Sequence, residues 1–219
     1  MTVSVVVVTY RRLARLGQIL SGWLGETSDV WLCDCSKDGF KTDLPIKVVR
    51  AVPDPGNKIR HAVATLTDGD LVIKADDDIV PGKWLAQEFV KAYEAKGDAI
   101  YGMHGRRFHG PRYYSRDTQL FGPGNANGIQ EVDFVGVITA SPRKFLGMDL
   151  RGCANEVEDL YWQMGCFPTV KKYVIGTKNV RHLPECADQG RLCQPGPSRL
   201  IRQRYYQTLY ARNYAGKKW

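Results

Sequence analysis

Short apolar runs alternate with longer amphipathic segments over the first hundred residues. The run Val3–Thr9 is rich in β-branched residues, as buried strands are, whereas 12–24 carries apolar residues at helical spacing. These two patterns recur and predict strands at 3–9, 30–33, 46–51, 70–75 and 99–103 and helices at 12–24, 58–66 and 83–95. Strands that alternate with helices form mostly parallel sheets covered on both faces. The sequence therefore predicts a Rossmann-like α/β fold.

The pattern changes after the fifth predicted strand. Residues 104–130 combine Gly, Pro, Arg and aromatic residues with little periodicity, and a loop of this length inside a domain is usually functional. Beyond it, 131–140 is predicted to be a strand, Ser141-Pro142 to start a helix and 157–164 to be a helix. A final helix is predicted over 198–213.

The composition is that of a soluble globular protein: 219 residues, 43% hydrophobic and 25% charged. The sequence contains no apolar run of about 18 residues, so it predicts no transmembrane helix. The N-terminus lacks the basic start of a signal peptide, so we expect a cytoplasmic protein. We expect the six cysteines to be reduced thiols. His182, Cys186 and Cys193 could form part of a zinc site, although a fourth ligand is missing.

The charge is positive and unevenly distributed. The formal net charge is +8, and the segment 198–219 contains six Lys or Arg and no acid. A second basic stretch, 106–116, interleaves arginines with Phe108, Tyr113 and Tyr114. This distribution favours an anionic partner, such as nucleotide phosphates, nucleic acid or an anionic membrane surface.

Three consecutive carboxylates, Asp76, Asp77 and Asp78, follow the predicted strand at 70–75. They would repel one another unless a positive group lies beside them, and hard oxygen ligands suit Mg²⁺ or Mn²⁺. The carboxyl ends of parallel strands are also where open α/β sheets bind ligands. We therefore expect a divalent metal site here. The alternative is a solvated acidic turn before the helix at 83–95.

Several short motifs follow one another in a fixed order. The segment 6–11 ends the first strand, Asp34-Cys35-Ser36 ends the second, 56–60 precedes the triple Asp, and Glu158-Asp159 lies further on. This order resembles the family 2 glycosyltransferases of the GT-A fold, over residues 3–185. The resemblance implies one domain over 1–219, divided into a nucleotide-sugar-binding half (1–103), an acceptor and catalytic half (104–197) and a basic C-terminal helix and tail (198–219).

The resemblance also implies an activity, which is metal-dependent transfer of a hexose or pentose from a nucleotide-sugar to an acceptor hydroxyl with inversion. A UDP-sugar is the expected donor. By resemblance, Asp78 binds Mn²⁺ or Mg²⁺ directly, Asp76 contacts the metal or the ribose, and His182 is a further metal ligand. Asp159 is the implied general base, with Glu158 as the less favoured neighbour. The implied donor contacts are Thr9, Tyr10, Arg11, Asp34, Lys58, Arg60, Asp76 and Asp77.

Each of these roles has a simpler alternative. Arg60 could instead be a solvated helix charge and His182 a surface or core histidine. Glu158 and Asp159 could be acids that complement a helix dipole. Asp77 lies between two residues that would share one face of an extended segment, and it could be a spectator. Cys33 and Cys35 stand where the family usually has Asp and Gly, which leaves the donor base and sugar open.

Two other classes of protein remain as alternatives. A nucleotidyltransferase normally has a Gly-rich loop after the first strand, where this chain has residues 10–14 of sequence Tyr-Arg-Arg-Leu-Ala. A non-catalytic nucleic-acid-binding protein would leave three adjacent carboxylates without a role. The acceptor is also open between a saccharide or lipid-linked glycan, a protein, and a hydroxymethylated base in phage-type DNA. Arginines mixed with aromatics suit nucleic acid, and a basic helix suits an anionic membrane.

Overall fold

The computed structural model describes most of the chain. The described residues are 1–10, 12–115, 118–123, 125–147, 149, 153–154, 157–183 and 197–214, with side chains in the last range for 199–213.

The described residues form eleven strands and five α-helices. The strands are β1 (Val3–Thr9), β2 (Asp29–Asp34), β3 (Lys47–Arg50), β4 (Leu71–Asp76), β5 (Ile79–Pro81), β6 (Ile100–Arg107), β7 (Gln119–Phe121), β8 (Ile129–Val132), β9 (Phe134–Pro142), β10 (Lys172–Ile175) and β11 (Val180–His182). The helices are α1 (Leu16–Leu24), α2 (Ile59–Ala64), α3 (Leu85–Lys96), α4 (Glu158–Leu160) and α5 (Pro197–Tyr214). A π-helical segment, Tyr161–Cys166, continues α4.

Nine of these strands form one sheet in the order β3-β2-β1-β4-β9-β6-β10-β8, with β7 paired to β6. The pairings make β3, β2, β1, β4, β6 and β10 parallel to one another, whereas β9, β8 and β7 run the opposite way. The remaining two strands, β5 and β11, form a separate antiparallel pair. The predicted mostly parallel α/β sheet is confirmed.

The central strand β1 is buried on both faces. On one face Val5 and Val7 belong to a core that includes Leu16, Leu20 and Trp23 of α1. On the other face Val6 and Val8 pack in a cluster with buried residues of α2. A run of β-branched residues with no polar alternation is what such a doubly covered strand requires.

The chain after β6 differs most from the sequence-based expectation. The predicted loop at 104–130 is partly strand, because β6 extends to Arg107 and β7 and β8 pair with the sheet. The predicted helix start at Ser141-Pro142 is wrong: β9 runs through both residues, Ser141 pairs with Val72, and only a 3-10 turn follows. Cross-strand pairing overrides a local capping signal here.

The C-terminal helix α5 packs against α4, the π-helical segment and the segment that follows β6. Its residues Tyr206 and Leu209 are buried in a cluster with Phe108, Leu160 and Met164. The Tyr206 hydroxyl also donates a hydrogen bond of 3.0 Å to the Gly110 carbonyl. Within the described part of the chain, no helix combines the length and the apolar character needed to cross a membrane.

Candidate active site

Polar side chains collect at the carboxyl ends of three neighbouring strands. Thr9 ends β1, Asp34 ends β2 and Asp76 ends β4, and the parallel register places Thr9 opposite Asp34 and Val8 opposite Asp76. Because parallel strands end at the same edge, these residues share one rim of the sheet. Ligands of open α/β sheets bind at this rim.

Asp34 organises the loop that follows β2. Its carboxylate accepts hydrogen bonds from the Ser36 amide and hydroxyl, from the Phe40 amide at 2.7 Å and from Arg50 at 3.1 Å. Burial alone would raise the pKa of Asp34, but these hydrogen bonds and the charge of Arg50 outweigh it and hold the pKa below its usual value. Asp34 is therefore an ionised group that shapes the predicted nucleoside-contacting loop.

Arg12 holds the second and third carboxylates of the acidic turn. Its guanidinium donates to Asp77 at 2.9 Å and to Asp78 at 3.0 Å, and the Thr9 hydroxyl donates to Asp77 at 2.7 Å. Arg12 is not among the site residues that the sequence predicts, because the hydrophobic pattern predicts it in a helix that in fact begins at Leu16. The need for a cation beside three acids was visible in the sequence, but its source was not.

Arg60 connects the acidic turn with the start of α4. It donates to Asp76 at 2.8 Å and to Glu158 at 2.5 Å, and only 12% of its side chain is exposed. The alternative of a solvated helix charge is therefore wrong for Arg60. Partial burial, together with the charges of Asp77 and Asp78, raises the pKa of Asp76 to about 6 although Arg60 opposes the rise.

Glu158 and Asp159 lie in different surroundings. Glu158 is buried against Arg60, and burial and the charge of Asp159 raise its pKa. Asp159 is more accessible, with 18% of its side chain exposed, and accepts a hydrogen bond of 2.6 Å from Arg202 of α5. Asp159, the more accessible of the two carboxylates, is therefore the better placed to meet a substrate.

The other predicted site residues are spread around this centre. Tyr10 is 44% exposed at the end of β1, and the Lys58 ammonium donates to the Cys153 carbonyl at 3.4 Å. His182 of β11 pairs with Ile79, directly after the acidic turn, and its ring lies 5.7 Å from that of His104. Arg11, Cys186 and Cys193 lie outside the described residues.

A divalent metal fits the donor chemistry of this rim. Asp76 and Asp78 supply hard carboxylate oxygens, and burial, followed by the charges of Asp78 and Asp77, raises the pKa of Asp76. The amide of Leu183, next to His182, donates to the Asp78 carbonyl at 2.9 Å, so β11 runs alongside the acidic turn. Among the described residues, no three His, Cys, Asp or Glu side chains lie close enough together to hold a metal ion. In this structure Arg12 pairs with Asp78 and Arg60 pairs with Asp76.

A buried polar cluster lies beneath Arg60, and the sequence did not reveal it. The Lys74 ammonium lies 3.3 Å from Nδ1 of His61 and 3.0 Å from the centroid of the Trp162 ring. Burial lowers the pKa of Lys74 and of His61 well below their usual values, and the charge of Arg60 adds to both effects. This cluster joins β4 and α2 to Trp162, which lies three residues after Asp159.

Two basic segments that are far apart in sequence meet where α5 lies beside Tyr113 and Tyr114. The guanidinium of Arg106 lies 4.6 Å from the centre of the Tyr113 ring, and that of Arg199 lies 4.3 Å from the Tyr114 ring. Both distances are typical of cation–π contacts. Arg199, Arg204 and Arg212 are exposed on α5, whereas Arg202 is buried.

Comparison with solved structures identifies the fold. The chain is similar to S. aureus TarS 1-349, with a TM-score of 0.59 and 14% identity over 98% of this chain and 66% of that one. It is also similar to TarS 1-349 in complexes with UDP-GlcNAc and with UDP, with a TM-score of 0.56 and 16% identity in each case. Each of these two matches covers 82% of this chain, and they cover 57% and 59% of TarS 1-349, respectively.

TarS is a GT-A-type glycosyltransferase, and the fold of this chain is the GT-A fold that the sequence resemblance predicts. The chain spans less than two thirds of the length of these TarS structures. No protein-family model matches the sequence, and no curated protein matches it in sequence.

Proposed function

We propose that this protein is an inverting, metal-dependent glycosyltransferase that takes its sugar from a UDP-sugar. The observation that carries the proposal is the placement of Asp76 and Asp78 at one rim of a GT-A sheet, where Arg60 bridges Asp76 to Glu158, the neighbour of Asp159. The complexes of TarS with UDP-GlcNAc and UDP support a UDP-sugar as the donor.

The donor side of the proposed site must balance the charge of a leaving diphosphate. Asp76 and Asp78, with His182 on the neighbouring strand, would hold Mn²⁺ or Mg²⁺, which neutralises charge on a leaving diphosphate. Asp34 and the loop it organises would meet the nucleoside, together with Tyr10 and Arg11. Thr9 contributes by fixing Asp77, because its hydroxyl donates to that carboxylate.

The acceptor side must remove a proton. Asp159 accepts the proton of the acceptor hydroxyl as the hydroxyl oxygen bonds to the anomeric carbon, and the bond from that carbon to the diphosphate oxygen breaks with its electron pair leaving on the diphosphate. A base opposite the leaving group gives a single displacement, so the anomeric configuration inverts. Glu158 remains paired with Arg60 and takes no part in the proton transfer.

The proposed acceptor is anionic, because every exposed charged residue in the described part of α5 is positive. Arg199, Arg204 and Arg212 lie on the outward part of α5, and Arg106 stacks on Tyr113 beside them. A lipid-linked glycan and a hydroxymethylated base in DNA both carry phosphates beside the accepting hydroxyl. An extruded base is needed in the case of DNA, since the reacting atom must leave the stack.

A donor and acceptor screen tests the proposal. A panel of UDP-sugars with Mn²⁺ is combined in turn with a saccharide, a lipid-linked glycan and hydroxymethylated DNA, and released UDP and the anomeric configuration of the product are measured. We expect UDP release that depends on Mn²⁺ and an inverted product. Absence of UDP binding, release of pyrophosphate from a nucleoside triphosphate instead, or a product with retained configuration would contradict the proposal.

A further inference from the structure

We propose that Arg202 of α5 is a positioning residue for the general base. This inference rests on the proposed function, and it assigns a role to a buried cation that the reaction scheme does not otherwise use. Arg202 donates to Oδ2 of Asp159 at 2.6 Å, and the Leu160 amide donates to Oδ1 at 2.7 Å. Both oxygens of the carboxylate are therefore fixed by the protein.

Arg202 is itself held by the acceptor half. Its guanidinium donates to the Tyr113 hydroxyl at 2.9 Å and lies 4.9 Å from the Tyr113 ring centre and 5.6 Å from that of Phe134. Only 7% of the Arg202 side chain is exposed. An arginine enclosed in this way has few rotamers left, so it can fix the orientation of its partner.

The position of Arg202 depends on the docking of α5. The Asn213 side-chain amide donates to the Met164 carbonyl at 2.6 Å, and that of Gln203 donates to the Pro111 carbonyl at 3.3 Å. These contacts tie α5 both to the π-helical segment after Asp159 and to the segment that carries Tyr113. The helix that appeared in the sequence as a basic surface thus places one of its arginines inside the site.

The contact leaves Asp159 able to act as a base. An ionised carboxylate offers about four acceptor positions, and Arg202 and the Leu160 amide occupy one on each oxygen. Arg202 keeps its own proton throughout, so it orients the base without exchanging anything with the substrate.

The test uses Arg202→Met and Arg202→Lys in the full chain, with UDP release from the best UDP-sugar of the screen and water as the acceptor. We expect Arg202→Met to lower kcat by about a hundredfold, the scale of a misplaced reacting group, with UDP affinity and donor KM unchanged. Arg202→Lys should recover part of the rate. Lys91→Met, which removes an exposed charge on α3, serves as the control and should leave the rate unchanged.

Chemical rescue separates positioning from a merely structural role. Ethylguanidinium at non-denaturing concentration should restore part of kcat to Arg202→Met, whereas ethylammonium at equal concentration should restore less, because only the guanidinium has the planar fork. Tyr113→Phe, which removes one Arg202 contact and keeps the ring, should lower kcat several-fold without changing UDP affinity. If Arg202→Met does not fold, the kcat of Tyr113→Phe tests the inference in its place.

Several outcomes would overturn the inference. A wild-type kcat in Arg202→Met, a faster kcat, or a defect that appears only in KM would show that the ion pair does not position the base. A Tyr113→Phe variant with wild-type kcat would count equally against it where Arg202→Met does not fold. If the wild type neither binds UDP nor releases it from any UDP-sugar, the proposed function itself fails, which is a distinguishable result.

Discussion

The two halves of the proposed site hold their carboxylates in different ways. In the donor half, Asp34 and Asp76 sit at the ends of β2 and β4, and the hydrogen bonding of the parallel sheet fixes where those ends lie. In the acceptor half, Glu158 and Asp159 lie on a one-turn helix that leads into a π-helical segment. Their partners, Arg60 and Arg202, come from helices 98 and 43 residues away.

This difference shows which part of the site is built by local sequence and which by tertiary docking. The donor carboxylates stay at the rim as long as the sheet forms. The acceptor carboxylates are placed by cations from α2 and α5, so they depend on how those helices pack. Single substitutions in the donor half should therefore affect UDP binding, whereas those in the acceptor half should lower kcat at unchanged UDP affinity.

The largest effect is expected from Asp78→Asn in the donor half. The residue follows β4 and is only partly buried, so the variant should fold, but it should lose sugar transfer and Mn²⁺-dependent UDP binding because a ligand oxygen loses its charge. Calorimetric titration of UDP with and without Mn²⁺ measures the loss.

Asp77→Asn is the matched control for that variant. Asp77 is bound by Thr9 and Arg12 and is more deeply buried than Asp78, so its replacement should affect stability more than metal binding. Full activity of Asp78→Asn, or of the wild type in excess EDTA, would remove the acidic turn from the metal site.

The next effect is expected from Asp159→Asn in the acceptor half. We expect kcat to fall by at least about a hundredfold, the scale of general-base catalysis, while UDP affinity stays close to the wild-type value. Steady-state kinetics and UDP titration on the same samples separate the two quantities. Glu158→Gln is the comparison variant; if it alone abolished turnover at unchanged UDP affinity, the assignment of the base would have to be reversed.

A smaller effect concerns the buried cluster that joins the halves. Burial and the charges of Lys74 and Arg60 hold the pKa of His61 well below its usual value in the folded chain. Below about pH 6.5, therefore, His61 binds a proton in the unfolded chain more readily than in the folded chain. Stability should therefore fall as the pH drops below about 6.5, by up to about 1.4 kcal/mol per pH unit from this group.

Urea unfolding at several pH values measures that contribution. Compared with His61→Gln, the wild type should lose stability more steeply between about pH 6.5 and about pH 5. His109→Gln, at an exposed position, is the control and should follow the wild-type curve. Parallel curves for wild type and His61→Gln would mean that the pKa of His61 is not depressed by the cluster.

The sequence predicted the donor half better than the acceptor half, and the reason is physical. Strand periodicity predicted the mostly parallel sheet and its strand ends, and the order of the motifs carried the resemblance that implied the GT-A fold, because these features depend on short segments. Arg12 and Arg202 were not predicted as site residues, since each acts through a contact between distant segments. Arg202 was instead counted with the surface charges of α5, where helical spacing alone cannot distinguish a buried arginine from an exposed one.

The smallest effect concerns the exposed arginines of α5. If the acceptor is a phosphate-bearing polymer, binding releases counterions, and the slope of log affinity against log salt is about −0.7 to −0.9 per phosphate contact. Replacing Arg199, Arg204 and Arg212 with Gln should therefore flatten this slope for a single-stranded DNA oligonucleotide by up to about two. UDP binding should not change, because the donor rim lies on β1, β2 and β4.

The matched control is the triple Gln variant at the exposed lysines of the donor half, Lys37, Lys41 and Lys91. Equal slopes in the two triple variants would show that net charge alone drives the binding, whereas retention on anionic vesicles but not on DNA would identify a membrane-bound acceptor.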